Sequence, residues 1–103
     1  MIKKMTKQDT WAKIQIMGDV RTIPKLKEDK NKELSLEIKI GFKGGTIFAY
    51  AKQESIMYEM MDLKIGDVIS VKGKFVNIWY PTATGNFAAI DNITKWTKEG
   101  ILE

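Results

Sequence analysis

From Leu34 to Phe42 every second residue is apolar: Leu34, Leu36, Ile38, Ile40 and Phe42 alternate with Ser35, Glu37, Lys39 and Gly41. A period of two matches a strand with one face buried and the other wet, and it does not fit a helix. Lys43-Gly44-Gly45 follows as a tight turn, where glycine supplies the backbone freedom a short hairpin needs. Thr46 to Lys52 then pairs back as the next strand. The chain is thereby committed to an antiparallel sheet, and the segments on either side must complete it.

Leu63 to Tyr80 supplies the second long strand signal. Lys64-Ile65-Gly66-Asp67 is a turn, with glycine at the position that requires a positive φ. Beyond it Ile69, Val71, Gly73 and Phe75 share one phase, which reads as core. Ser70, Lys72, Lys74 and Val76 share the other, which reads as a mostly wet, basic face. Glycine among core positions weakens a strand, so Gly73 marks a bulge or a sharp bend of the kind a strand coiling round a small barrel needs. The stretch ends in Trp79 and Tyr80, before a Pro-Thr-Ala-Thr-Gly-Asn turn.

The remaining segments fill in the order. Residues 1–10 are polar and expected to be loosely ordered. Trp11 to Ile23 reads as the first strand, with Ile14, Ile16, Gly18 and Val20 in one phase. Pro24 to Glu33 is dense in charge and reads as a hairpin loop carrying Lys25, Lys27 and Lys30. Ile56, Met57, Met60, Met61 and Leu63 recur at helical spacing, so Glu54 to Leu63 is a short helix with Ser55 as its N-cap. Its methionines suit a plug at a barrel end, since the flexible thioether fills irregular gaps. Phe87 to Trp96 is the closing strand, with an irregularity near Asp91-Asn92; Trp11 and Trp96 are expected to pack together as structural residues. The order is three strands, a helix, two strands. It indicates an all-β fold, a five-stranded OB-fold barrel with one short helix between strands 3 and 4, in a single domain over residues 1–103.

Composition removes several classes of function. The 103 residues include no cysteine and no histidine, so disulfides, thiolate metal sites and the commonest general base are absent. No phosphate-loop, Gly-x-Ser-x-Gly or metal-ligand spacing occurs. An enzyme, a metal and a cofactor are therefore not expected. No apolar run approaches the roughly 20 residues of a membrane span, and no signal peptide is visible, which makes a cytoplasmic protein the expectation. The net charge is +4, with a pI near 9.3, mild for a nucleic-acid binder and by itself uninformative.

The pieces from Leu63 onward resemble a family: the OB-fold single-stranded-DNA-binding proteins of bacteria and phages. In that family a helix ends in a Leu-x-x-Gly-(Ser/Asp) turn, followed by Val-x-Val-x-Gly-x-Leu, an aromatic residue and a loop carrying glycine. Here these are Leu63, Gly66, Asp67, Ile69, Val71, Gly73, Phe75, Tyr80 (or Trp79) and Gly85. The spacing fits without a gap from Thr46 to Asn86. Lys13 to Val20, with Pro24 after it, looks like the family's first strand. The order and spacing of these pieces make the resemblance.

Single strands are held by aromatic faces that stack on bases and by cations that follow the phosphates. Thr46, Phe48, Tyr50 and Lys52 offer that pattern if Ile47, Ala49 and Ala51 are core; the opposite phase would bury Phe48 and Tyr50 instead. The resemblance assigns the first phase to the family's stacking aromatics. It also shows a departure, because the family often has aromatics where Thr46 and Lys52 stand. One of Trp79 and Tyr80 would be exposed at the last hairpin, Tyr80 in the gapless alignment and Trp79 if a residue bulges. Lys39, Lys43, Lys72 and Lys74 are the further candidates for phosphate contact, Lys72 and Lys74 foremost.

The expected function is sequence-tolerant binding of single-stranded DNA in replication, recombination or repair, of a phage or mobile-element type, with RNA as an alternative partner. The resemblance implies a homo-oligomer, a dimer or tetramer formed through barrel edges. The competing expectation is a protein–protein adaptor on the same scaffold, since a fold does not fix a function.

Overall fold

Among the described residues of a computed structural model of the chain, six strands and one helix succeed one another: β1 (Ala12–Val20), β2 (Lys25–Glu28), β3 (Leu34–Phe42), β4 (Gly45–Ala51), α1 (Glu54–Met60), β5 (Val68–Trp79) and β6 (Asn86–Lys98). The structure describes residues 12–28, 31–79 and 86–100, with the backbone alone for 77–79 and 86–87. Five of the strands close a ring. β1 pairs with β5 along Ala12–Asp19, and β5 pairs with β6. β6 runs parallel to β4 at Phe48↔Ala89 and Ala49↔Ile90, β4 pairs with β3, and β3 returns to β1 at Asp19↔Gly41 and Val20↔Ile40. The result is a closed barrel of mixed pairing with one short helix between its third and fourth strands, an OB fold.

The alternating pattern sets which side chains fill it. Leu36, Ile38 and Ile40 of β3, Ile47, Ala49 and Ala51 of β4, Ile69 and Val71 of β5, and Ile90 and Ile93 of β6 are all buried. Ile56, Met60 and Leu63 plug one end, with Met57 packed partly against them, as the helical apolar stripe leads one to expect. At the strand ends the alternation overstates burial: Leu34 and Phe42 are exposed, because the barrel wall has curved away from the core there.

Gly73 sits at a register shift. Lys72 pairs with Lys95 but Gly73 with Ile93, so Thr94 is the extra residue; a second shift skips Asp91. A Cβ on Gly73 would lie 2.3 Å from the carbonyl oxygen of Asn92 and 2.5 Å from Cγ2 of Ile90. The bend read from the sequence is thus a close approach of two backbones that tolerates no side chain. Gly66, with φ +96°, occupies the turn before β5, where Asp67 Oδ2 accepts the Lys64 N–H at 2.8 Å.

Several expectations need correction. The charged run after Pro24 is not all loop: Lys25–Glu28 forms β2, pairing with Leu34–Glu37 at the outer edge of β3. All four of its residues are exposed, so no burial pattern announced it. The first strand ends at Val20, where Arg21 N–H turns to the Lys39 carbonyl. α1 stops at Met60, and its N-cap is Gln53, with no side-chain cap bond, rather than Ser55. Ser70 does not face water. It is fully buried, with Gln15 Nε2 3.5 Å from its hydroxyl. Trp96 is half-buried against the core and donates from Nε1 to Glu59 at 3.0 Å; Trp11, its expected partner, lies outside the described residues.

Candidate nucleic-acid interface

β4 resolves the choice of phase. Ile47, Ala49 and Ala51 point inward, and Phe48 and Tyr50 point outward, each half-buried, between exposed Thr46 and Lys52. The cause is the barrel's narrowness. Two alanines fit where β4 crosses the core beside the large side chains of Ile38 and Ile90, and two aromatic rings would not. The outward rings therefore lie on a sheet surface. Cross-strand pairing sets Lys39 opposite Phe48 and Glu37 opposite Tyr50. Lys39 Nζ stands 5.5 Å from the Phe48 ring centroid, within cation–π range.

Lys52 and Lys27 on this wall are answered by carboxylates. Lys52 Nζ meets Asp91 Oδ1 at 2.9 Å, tying β4 to β6 across the parallel seam, and Lys27 lies 3.9 Å from Glu37. Such exposed pairs are weak, so a phosphate can displace them.

Lys72 and Lys74 are elsewhere. Their strand, β5, lies between β1 and β6, on the part of the ring away from the β3–β4 pair. Pairing builds two rows on the outer face: Gln15, Lys72 and Lys95 in one, Lys13, Lys74 and Asn92 in the other. The expected set of site residues thus divides in two. Phe48, Tyr50, Lys39 and Lys52 come together; Lys72 and Lys74 do not join them, and gather Lys13 and Lys95 instead. Lys13 and Lys95 were not visible as candidates because only pairing register makes them neighbours. Lys43 is exposed in the β3–β4 turn. Trp79 ends β5 opposite Asn86, with its side chain outside the described residues; Tyr80 lies outside them altogether.

Between α1 and the β2–β3 hairpin runs a groove of about 620 Å³, lined by Leu26, Leu34, Met57, Tyr58 and Met61, with Lys52 at its rim. No sequence pattern signalled it, because Leu26 stands alone in a charged run.

Among the described residues two carboxylates are shifted, both in structural roles. The Arg21 guanidinium hydrogen-bonded to Asp19 holds that carboxyl below the usual range, and Asp19 in turn raises Arg21. The Lys64 backbone N–H, with Lys98 nearby, does the same for Asp67. Among the described residues no cluster of three acidic side chains could hold a metal ion, and no helix is long and apolar enough to cross a membrane.

No family model and no curated protein matches the sequence. Solved structures do match the fold. A mitochondrial single-stranded-DNA-binding protein from S. cerevisiae superposes with a TM-score of 0.69 at 12% identity, over 90% of this chain and 100% of that one. A small single-stranded-DNA-binding protein from Streptomyces coelicolor gives 0.63 at 14% identity, over 87% and 94%. A single-stranded-DNA-binding protein from Plasmodium falciparum, in complex with single-stranded DNA, gives 0.64 at 14% identity, over 95% and 96%. The chain is similar to these proteins in architecture along nearly its whole length.

Proposed function

We propose that this protein binds single-stranded DNA with little regard to sequence, along the outer face of β3 and β4. Phe48 and Tyr50 stack on bases, and Lys39, Lys43 and Lys52 lie beside the phosphates. The carrying observation is the outward placement of two aromatic rings in the middle of a strand whose other phase is core. A fold that merely needed stability would bury them, whereas base stacking needs them at a sheet surface among cations. The likeness to barrels that bind single strands, one of them in complex with DNA, supports the same reading. One of Trp79 and Tyr80, at the β5–β6 hairpin, extends the stacking surface. The role is binding without catalysis, in cytoplasmic replication, recombination or repair of a phage or mobile-element kind. Among the described residues, β1 leaves one edge without a strand partner over Ala12–Gly18. That edge suits pairing with a second copy.

The groove beside α1 favours a second reading, a protein–protein adaptor. Titration of the folded protein with an unlabelled poly-dT oligonucleotide separates the two. Quenching of tryptophan fluorescence that weakens as salt rises is expected for DNA binding, because bound lysines release counterions. No quenching and no mobility shift at low salt would make the adaptor the better description; equal affinity for poly-U would extend the ligand to RNA.

A further inference from the structure

We infer that the outer face of β1, β5 and β6 is a second nucleic-acid surface, one that takes backbone phosphates alone and holds a different segment of the strand from the one on Phe48 and Tyr50. The inference rests on the single-strand-binding reading above and deepens it. Lys72 and Lys95 are directly opposite each other in the β5–β6 pairing, and Lys13 and Lys74 in the β1–β5 pairing. Like charges at directly opposed positions destabilise a sheet, so the fold gains nothing from this arrangement. Four other cations, Arg21, Lys27, Lys52 and Lys98, do have carboxylate partners. Lys72, Lys74 and Lys95 have none among the described residues, and neither row contains a carboxylate.

The geometry suits a phosphate chain. Adjacent rows are two residues apart along the strands, about 6–7 Å, comparable to the separation of successive phosphates in an extended strand. Between Lys13 and Lys74 lies a shallow depression of about 270 Å³, with Gly73 and Thr94 also lining it. Thr94, the extra residue at the register shift, stands at this depression. No aromatic side chain stands in either row, so nothing here stacks on a base. A second copy laid face to face on this wall would set lysine against lysine, which argues against self-association through it.

The test compares the wild type with a Lys72→Gln/Lys74→Gln/Lys95→Gln variant on dT oligonucleotides of about 6 and about 30 nucleotides, one near the lower end of and one well above the roughly 4–16 nucleotides an OB barrel covers. The variant should bind the short oligonucleotide as the wild type does. It should bind the long one roughly 10- to 100-fold more weakly at low salt, with the slope of log affinity on log salt reduced by about 2, three phosphates at about 0.7 each. Its melting temperature should be no lower than that of the wild type, since repulsion has been removed. Equal affinities and slopes for wild type and variant on both lengths would overturn the second surface and leave the first intact. Equal weakening on both lengths would overturn it too, by making the lysines part of one continuous site. A wild type that binds neither length would instead refute the single-strand reading itself.

Discussion

The two walls of this barrel carry similar numbers of lysines and treat them differently. On the β3–β4 wall Lys39 leans over Phe48, Lys27 reaches Glu37 and Lys52 bonds Asp91 across the seam to β6. On the β1–β5–β6 wall Lys72, Lys74 and Lys95 stand in rows without a carboxylate. The first wall pairs modest charge with two half-exposed rings; the second has charge and no rings. Affinity on the first should combine stacking with counterion release. Affinity on the second should be almost wholly counterion release.

The sharpest way to break that contrast is to remove the rings. Phe48→Ala or Tyr50→Ala should each weaken binding of a short dT oligonucleotide by about 1–3 kcal/mol, with the salt slope unchanged; titration calorimetry at two salt concentrations reads both. A loss of slope instead of affinity would show that these rings do not stack. Next in size is Gly73→Ala. The added methyl group meets the Asn92 backbone, so the variant should lose about 1–3 kcal/mol of stability in urea unfolding. A neutral result would mean the bulge can relax, and that the second wall's curvature is not fixed by this approach.

A smaller effect sharpens the comparison from the other side. Asp91→Asn releases Lys52 from its partner, which should steepen the salt slope by up to about 0.7 for a short oligonucleotide. The first wall would then behave slightly more like the second. The smallest effect concerns acid. Asp19 and Asp67 titrate below the ordinary carboxylate range in the folded protein. Their stabilisation is therefore complete above the unfolded-state pKa, near 4, and is lost as pH falls through the lower folded-state values. Both groups keep contact with solvent, so the fall in urea midpoint should be slight, and it should flatten in Asp67→Asn. Any loss of DNA binding over that range should follow unfolding.

Alternation alone was enough to locate β3, β4 and β5, because a two-residue period puts all the apolar side chains on one face only in an extended chain. Gly73 could be read as a bend because a glycine among core positions weakens a strand unless the backbone needs the space. The same rule missed β2, whose residues are all exposed, and misread Ser70, whose polar hydroxyl is buried beside Gln15. It also left the direction of Phe48 and Tyr50 open. Two phases of β4 were each plausible in one dimension, and only the width of a closed barrel, filled by Ile38, Ile40 and Ile90, leaves room for alanine rather than a ring.

By itself, then, the sequence determined the five barrel strands, the plug helix, the barrel class and the residue types a single-strand binder would use. Each of those follows from local period and composition. The tertiary structure decided which of those residues are neighbours. Pairing register is a property of two strands at once, and here it set Lys39 against Phe48, moved Lys72 and Lys74 to another wall, and brought Lys13 and Lys95 to meet them.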